Sequence, residues 1–133
     1  MREEHEVPEW LGDYKLRKLI ARGGMGEVWL AAKHGTGKPC VVKVLRRELS
    51  RDPDYRRRFF READILERLN HGHIVPIIHF GEERGWLFIV MAYVDGLDLG
   101  RFCRAIFEHG EVVPVEVVGY IAGGVLAGLR HAH

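Results

Sequence analysis

The sequence predicts an α+β fold, an antiparallel sheet with one inserted helix and further helices behind it. Three observations lead there. Short β-branched runs are separated by glycine turns. One long stretch with a period of 3.6 falls between the third and fourth runs. The order also lacks the strand–helix–strand alternation of a parallel sheet.

The elements follow in order. Residues 1–12 are acidic and read as a loosely held arm. From Tyr14 the pattern alternates, with Tyr14, Leu16 and Ile20 on one face and Lys15 and Arg17 on the other. The turn ARGGMGE (21–27) leads into a second strand, VWLAA, and KHGTGKP (33–39) is a hairpin connection into a buried third strand, CVVKVL. Ser50, Asp52, Pro53 and Asp54 supply helix-start signals ahead of YRRRFFREADILERLN. HGH breaks that helix, and a fourth strand begins over 74–78. GEERG turns the chain into a fifth, WLFIVMAYV, which Asp95 and Gly96 close. Helices are expected over 97–109 and from Pro114 to the end.

Hydrophobic residues make up 47% and charged residues 29% of the 133, a balance that buries a core and excludes a disordered chain. Twenty Lys and Arg against nineteen Asp and Glu leave a net charge of +1. No basic excess points to nucleic acid or an anionic membrane as partner. Cys40 and Cys103 are too few for a disulfide framework and read as free thiols in a reducing compartment. The start is no secretory signal, so a cytoplasmic location is expected. The longest uncharged apolar run, VVGYIAGGVLAGL (117–129), is shorter than the roughly 20 residues that span a bilayer and reads as a buried core helix. Ser50, the one serine, lies in a charged stretch, RRELSRD, which argues against a Ser–His nucleophile.

Two charges stand where charge is costly. Lys43 lies inside CVVKVL, with Val41 and Leu45 on its own face. Glu62 belongs to a helical stripe with Tyr55, Phe59, Leu66 and Leu69. Each is costly to bury alone and is the obvious partner of the other. The bland reading is a lysine that snorkels at a sheet edge and a glutamate at the rim of its stripe. Beside them, Gly23, Gly24 and Gly26 form a turn between two strands, where backbone amides can approach phosphate oxygens without hindrance from Cβ.

Turn, lysine strand and glutamate helix, in this order, resemble the N-terminal lobe of protein kinases, most closely the bacterial Ser/Thr type. The resemblance runs from about Tyr14 to His133. ARGGMGEV is similar to the phosphate-covering loop, which assigns Ala21, Arg22, Gly23, Gly24, Met25 and Gly26 to it. CVVK is similar to the V-A-I-K strand, which implies that Lys43 holds the α- and β-phosphates of ATP, with Glu62 in FFREADIL as its helix partner. HGHIV is similar to H-P-N-I-V. FIVMAYVDGLDL resembles the hinge, implying Met91 as gatekeeper, the Ala92 carbonyl and Val94 amide at the adenine edge, and Asp98 at the ribose. Ile20, Val28 and Val41 would roof the adenine. Ala21 in place of the first glycine, Val41 in place of the V-A-I-K alanine and Ala92 in place of an acidic hinge residue depart from the pattern without disabling it.

The resemblance divides the chain into the acidic arm (1–12), a kinase N-lobe with hinge (13–94) and the start of a C-lobe (95–133). The sequence holds no H-R-D string with a downstream Asn and no D-F-G, so the expected Mg²⁺ ligands lie outside these 133 residues. The expected function is ATP-dependent phosphoryl transfer to hydroxyls of a protein substrate, with the present residues alone inactive. The alternatives are a kinase-like regulatory module that binds nucleotide without transferring phosphate, and an interaction fragment that never binds it. The last helix, with Val118, Ile121, Ala122, Val125 and Leu129 on one face, is expected to drive self-association. His71-Gly-His73 and His131-Ala-His133 lack the acidic or Cys ligands of a zinc pattern, and no metal site is expected. GTGKP lacks the Ser/Thr of a Walker loop, and Arg56, Arg57 and Arg58 read as a solvated helix face.

Overall fold

A computed structural model describes residues 6–132. They divide into two compact units, one formed by residues 6–70 with Val75–Tyr93, the other by His71–Ile74 with residues 94–132. The expectations for residues 1–5 of the arm and for His133 lie outside the described residues.

The first unit is an antiparallel sheet of β1 (Trp10–Leu11), β2 (Tyr14–Arg22), β3 (Gly26–Lys33), β4 (Pro39–Leu45), β5 (Ile77–Glu83) and β6 (Trp86–Ala92), in spatial order β1-β2-β3-β4-β6-β5. The β5–β6 hairpin turns on Arg84 and Gly85, with φ of 52° and 84°, the two left-handed residues a two-residue hairpin demands. One strand more is present than the sequence predicts, and it comes from the expected loose arm. Leu11 is fully buried, Val7 packs on the core, Leu16 N–H donates to the Glu9 carbonyl at 2.8 Å, and Gly12 N–H donates to the Glu83 carboxylate. Two apolar anchors outweigh the acidic composition of this segment.

Register decides what each face carries. Ala21, Val28, Lys43, Ile89 and Phe80 form one row across the sheet, and Leu30, Val41, Met91 and Ile77 another on the same side. The intervening row of Trp29, Val42, Val90 and His79 points the other way. The face of this intervening row is closed: Leu11, Tyr14, Leu16, Ala31, Cys40, Val42, Val44, Trp86, Phe88 and Val90 form one core cluster. Irregular register between Leu16 and Lys18 and between Leu19 and Ala21 breaks the alternation expected for β2. Ile20 is consequently exposed while Tyr14 and Leu16 are buried.

Helix α1 (Arg47–Ser50) precedes α2 (Pro53–Glu67). Asp52 caps α2, accepting from the N–H groups of Asp54 and Tyr55, and Pro53 fills its first turn, as the start signals imply. The helix packs Phe59 onto Leu45 and Leu87, with Tyr55, Phe60, Phe80 and Ile89 around them. Its buried residues are Phe59 and Ala63. The expected stripe is therefore rotated, leaving Glu62 exposed and Leu66 at 43% exposure.

In the second unit, α3 (Leu99–Glu108) and α4 (Val115–Ala132) follow the expected segments. Among the described residues of α4 only Gly128 is buried, so within these residues the apolar run expected to be buried is largely exposed. Val118, Val125 and Leu129 are exposed, and Gly124 and Gly128 instead lie against His73 and Ile74. No helix is long and apolar enough among the described residues to cross a membrane.

Candidate functional site

Lys43 occupies the centre of the open face of the sheet. Its register partners are Val28 on β3 and Ile89 on β6, and Val41 beside it pairs with Leu30 and Met91. Lys43, Val28, Val41 and Met91 are all half-buried. The closed face tolerates no such residue, because Val42 and Val44 on either side of Lys43 are 0% and 1% exposed. A strand with one buried face and one open face thus places an ammonium group on an apolar, half-open surface.

The glycine turn closes one end of that surface. Gly23 N–H donates to the Gly26 carbonyl at 2.9 Å, and Arg46 N–H donates to the Met25 carbonyl at 2.9 Å, tying the turn to the end of β4. Arg22 pairs with Glu27 at 3.7 Å. The glycines are not equivalent. A Cβ at Gly26 would sit 2.0 Å from the Val44 carbonyl oxygen, so close backbone approach requires glycine there. A Cβ at Gly23 or Gly24 would meet nothing within 4 Å. Gly26 holds the turn against β4, while Gly23 and Gly24 face open space.

Glu62 does not meet Lys43. Among the described residues the two form no ion pair, and Glu62 lines a cavity of about 240 Å³ with Met25, Tyr55, Arg58 and Phe59. Burial, and behind it the Glu62 carboxylate, push the Tyr55 phenol above its ordinary value. In the orientation that α2 takes, Phe59 and Ala63 are the buried residues, and further contacts that the sequence did not reveal accompany it. Arg56 pairs with Glu82 on β5 and donates to the Ser50 carbonyl at 3.1 Å. Ser50, 2% exposed, accepts from Leu87 N–H at 3.4 Å. Nothing in a run of three arginines marks Arg56 as the one that reaches the sheet, while Arg57 pairs locally with Asp54. A lone serine before a capped helix was the available signal for Ser50.

The remaining expected positions are distributed. Ile20 and Met25 are 49% and 53% exposed, and Ala21 is exposed in the row of Lys43. Ala92 ends β6 and its N–H donates to the Pro76 carbonyl at 3.0 Å. Val94 and Asp98 belong to the second unit. Val94 is 68% exposed, and Asp98 caps α3, accepting from Arg101 N–H at 2.8 Å. Cys40 is buried, which raises its thiol pKa, and it stays a free thiol, as does Cys103. No group of three His, Cys, Asp or Glu among the described residues could hold a metal ion.

A family model described as the protein kinase domain matches residues 14–133. The chain is 38% identical over 110 residues to the serine/threonine-protein kinase PknE of Mycobacterium bovis, covering 83% of this chain and 19% of the relative. It is 36% identical over 131 residues to PknH of the same organism, covering 98% of this chain and 21% of the relative. The solved PknI kinase domain of Mycobacterium tuberculosis aligns with a TM-score of 0.78 at 32% identity, covering 96% of this chain and 52% of that one. The chain spans about a fifth of the length of these curated relatives and about half of the solved domain.

Proposed function

The chain belongs to the protein kinase domain family, and from that premise we propose that it forms the ATP-holding part of a serine/threonine kinase that phosphorylates protein hydroxyls. One observation carries the reading. Lys43 is a half-buried cation without a carboxylate partner among the described residues, set on an apolar half-open face. An ammonium group in such surroundings attracts polyphosphate more strongly than one in bulk water.

The residues present fit ATP. Val28, Val41 and Met91 offer half-buried apolar surface for the base, and Gly23 and Gly24 leave space for the phosphates. Lys43 would hold the α- and β-phosphates, with Ala92, Val94 and Asp98 toward the base and ribose. Glu62 would hold Lys43 once α2 turns it away from Met25, Tyr55 and Arg58. No group among the described residues fits a Mg²⁺ site; Mg²⁺ would need ligands of the H-R-D-with-Asn and D-F-G kind, which these 133 residues do not hold. Phosphoryl transfer is shared between positioning and charge stabilisation, and loss of one preorganised group costs about 2.7–4 kcal/mol in the transition state. The 133 residues alone are therefore expected to bind Mg-ATP weakly and to transfer no measurable phosphate.

The test is calorimetric titration with Mg-ATP and transfer of labelled phosphate to a basic protein, for the chain alone and for a longer protein carrying the H-R-D and D-F-G segments. Lys43→Met in the longer protein should remove transfer while the melting temperature stays within a few degrees. Activity near wild type would sink the role of Lys43. The second reading, a regulatory module without transfer, draws on Lys43 and Glu62 forming no ion pair among the described residues. Binding of Mg-ATP by the longer protein, with no transfer to any substrate or to itself, would favour it.

A further inference from the structure

A cavity of about 360 Å³ lies at the root of the glycine turn, and its lining residues all belong to the sheet unit. Glu27 pairs with Val44 in the sheet, and both face the closed side, opposite Lys43. Val44 and Trp86, 1% and 5% exposed, give the cavity an apolar wall, and Val7 packs against the same core. Arg46, Arg47, Glu48 and Glu27 add charge of both signs. The Arg47 guanidinium carbon stands 5.4 Å from the centre of the Trp86 ring, which sets a cation over the apolar wall. Glu27 Oε2 is buried and accepts no hydrogen bond among the described residues. The mostly exposed Arg22 stands 3.7 Å from it, beyond hydrogen-bonding distance. A buried carboxylate oxygen without a donor is costly, and a donor brought to it offsets that cost.

We propose that this cavity binds a small molecule that joins an ammonium group to a carboxylate on an apolar body, the chemistry of an apolar amino acid. The ammonium donates to Glu27 Oε2, the carboxylate faces Arg47, and the apolar body lies along Val44, Trp86 and Val7. The cavity is within the range of about 300–1,000 Å³ for small-molecule sites, which are mostly apolar with a few placed polar groups. The mixed charge selects a zwitterion. An anion alone would meet the carboxylates of Glu27 and Glu48, and a cation alone would meet Arg46 and Arg47, with no partner for the opposite end. The proposal does not rest on the kinase reading, which uses none of Glu27, Arg47 and Trp86. Because Glu27 follows the turn directly at the start of β3, a ligand held there braces the root of the turn from the side opposite Lys43.

The test is residue-resolved NMR of the 133-residue chain titrated with L-leucine. Saturable shifts are expected at the amides of Glu27, Arg47, Glu48 and Trp86, while those of Ile89 and Met91 on the Lys43 face stay in place. N-acetyl-leucine lacks the ammonium and leucinamide lacks the carboxylate. Each should bind at least about tenfold more weakly than leucine, the factor for one lost hydrogen bond to a charged group. Glu27→Gln should weaken leucine binding by a similar factor, whereas Arg22→Ala, which removes the competing cation, should not weaken it. Arg47→Gln should weaken leucine and leave leucinamide unchanged. Equal affinity for leucine and N-acetyl-leucine would overturn the Glu27 contact, and that comparison on the unaltered chain decides the matter even where Glu27→Gln does not fold. Absence of saturable shifts at the four named amides would overturn the site, as would shifts centred on the Lys43 face or on the exposed apolar residues of α4.

Discussion

The two units bury their side chains in opposite ways. The sheet unit holds every fully buried large side chain among the described residues, with Leu11, Val42, Leu87 and Val90 each at 0% exposure. In the helical unit the one buried residue described is Gly128, while Val115 and Tyr120 are 76% and 79% exposed. The pairing of five long strands lets residues far apart in sequence cover one another, whereas two helices joined by a short loop bury little between them. A hydrophobic run in the sequence therefore means different things in the two places. In CVVKVL it marks a closed face, and in VVGYIAGGVLAGL it marks apolar surface left open on α4.

The largest expected effect tests that contrast directly. Leu87→Ala should lower stability by about 2–5 kcal/mol, the range for truncating a buried leucine. Leu126→Ala on α4, at 63% exposure, should stay within about 0.5 kcal/mol. Urea unfolding followed by circular dichroism gives both numbers, and similar losses would erase the distinction between the units. Next in size is a contrast inside the glycine turn. Gly26→Ala should cost about 1–3 kcal/mol through overpacking, because its Cβ meets the Val44 carbonyl. Gly23→Ala, with open space around it, should leave the midpoint nearly unchanged.

A gain is expected in the helical unit. Gly123 sits within α4 and an added Cβ meets nothing within 4 Å, so Gly123→Ala should raise helix stability by about 0.8–1 kcal/mol. No gain in helical ellipticity or melting temperature would show that α4 is limited by something other than propensity.

The smallest effect concerns acid. The hydrogen bond from Arg56 holds the Glu82 carboxyl below its ordinary value. A depressed carboxylate contributes stability that is complete above its ordinary pKa and is lost as pH falls through the folded value. Glu82→Gln should lower stability slightly at neutral pH, leave the most acid end unchanged, and so flatten the acid side of the profile of the sheet unit. An unchanged slope of the urea midpoint below about pH 4.5 would remove the Arg56–Glu82 pair from the account.

Much of the first unit could be read from residue order. Alternation and turn chemistry located β2, β3, β4 and β6, the Asp52–Pro53 helix start and the Lys43 face, because these are short-range properties set by backbone period and local capping; β5 starts three residues later than expected and runs through the expected turn to Glu83. The β1 strand was not legible, since two apolar anchors, Val7 and Leu11, act through distant residues while acidic neighbours dominate the local composition. The irregular register in β2 exposed Ile20, which strict alternation places inside. Nor could periodicity orient α2. A hydrophobic stripe fixes which residues share a helix face to within a fraction of a turn, and Glu62 stands at that margin. In the rotation that α2 adopts, Phe59 and Ala63 are buried, Arg56 reaches Glu82 and the Ser50 carbonyl, and Glu62 lies beside Met25 and Tyr55 and forms no ion pair with Lys43 among the described residues. Residue order fixed which side chains were available and which faces they share along the regular strands β3, β4 and β6. Which charges meet was settled by packing, because an ion pair depends on the rotation of one whole element against another, a long-range property.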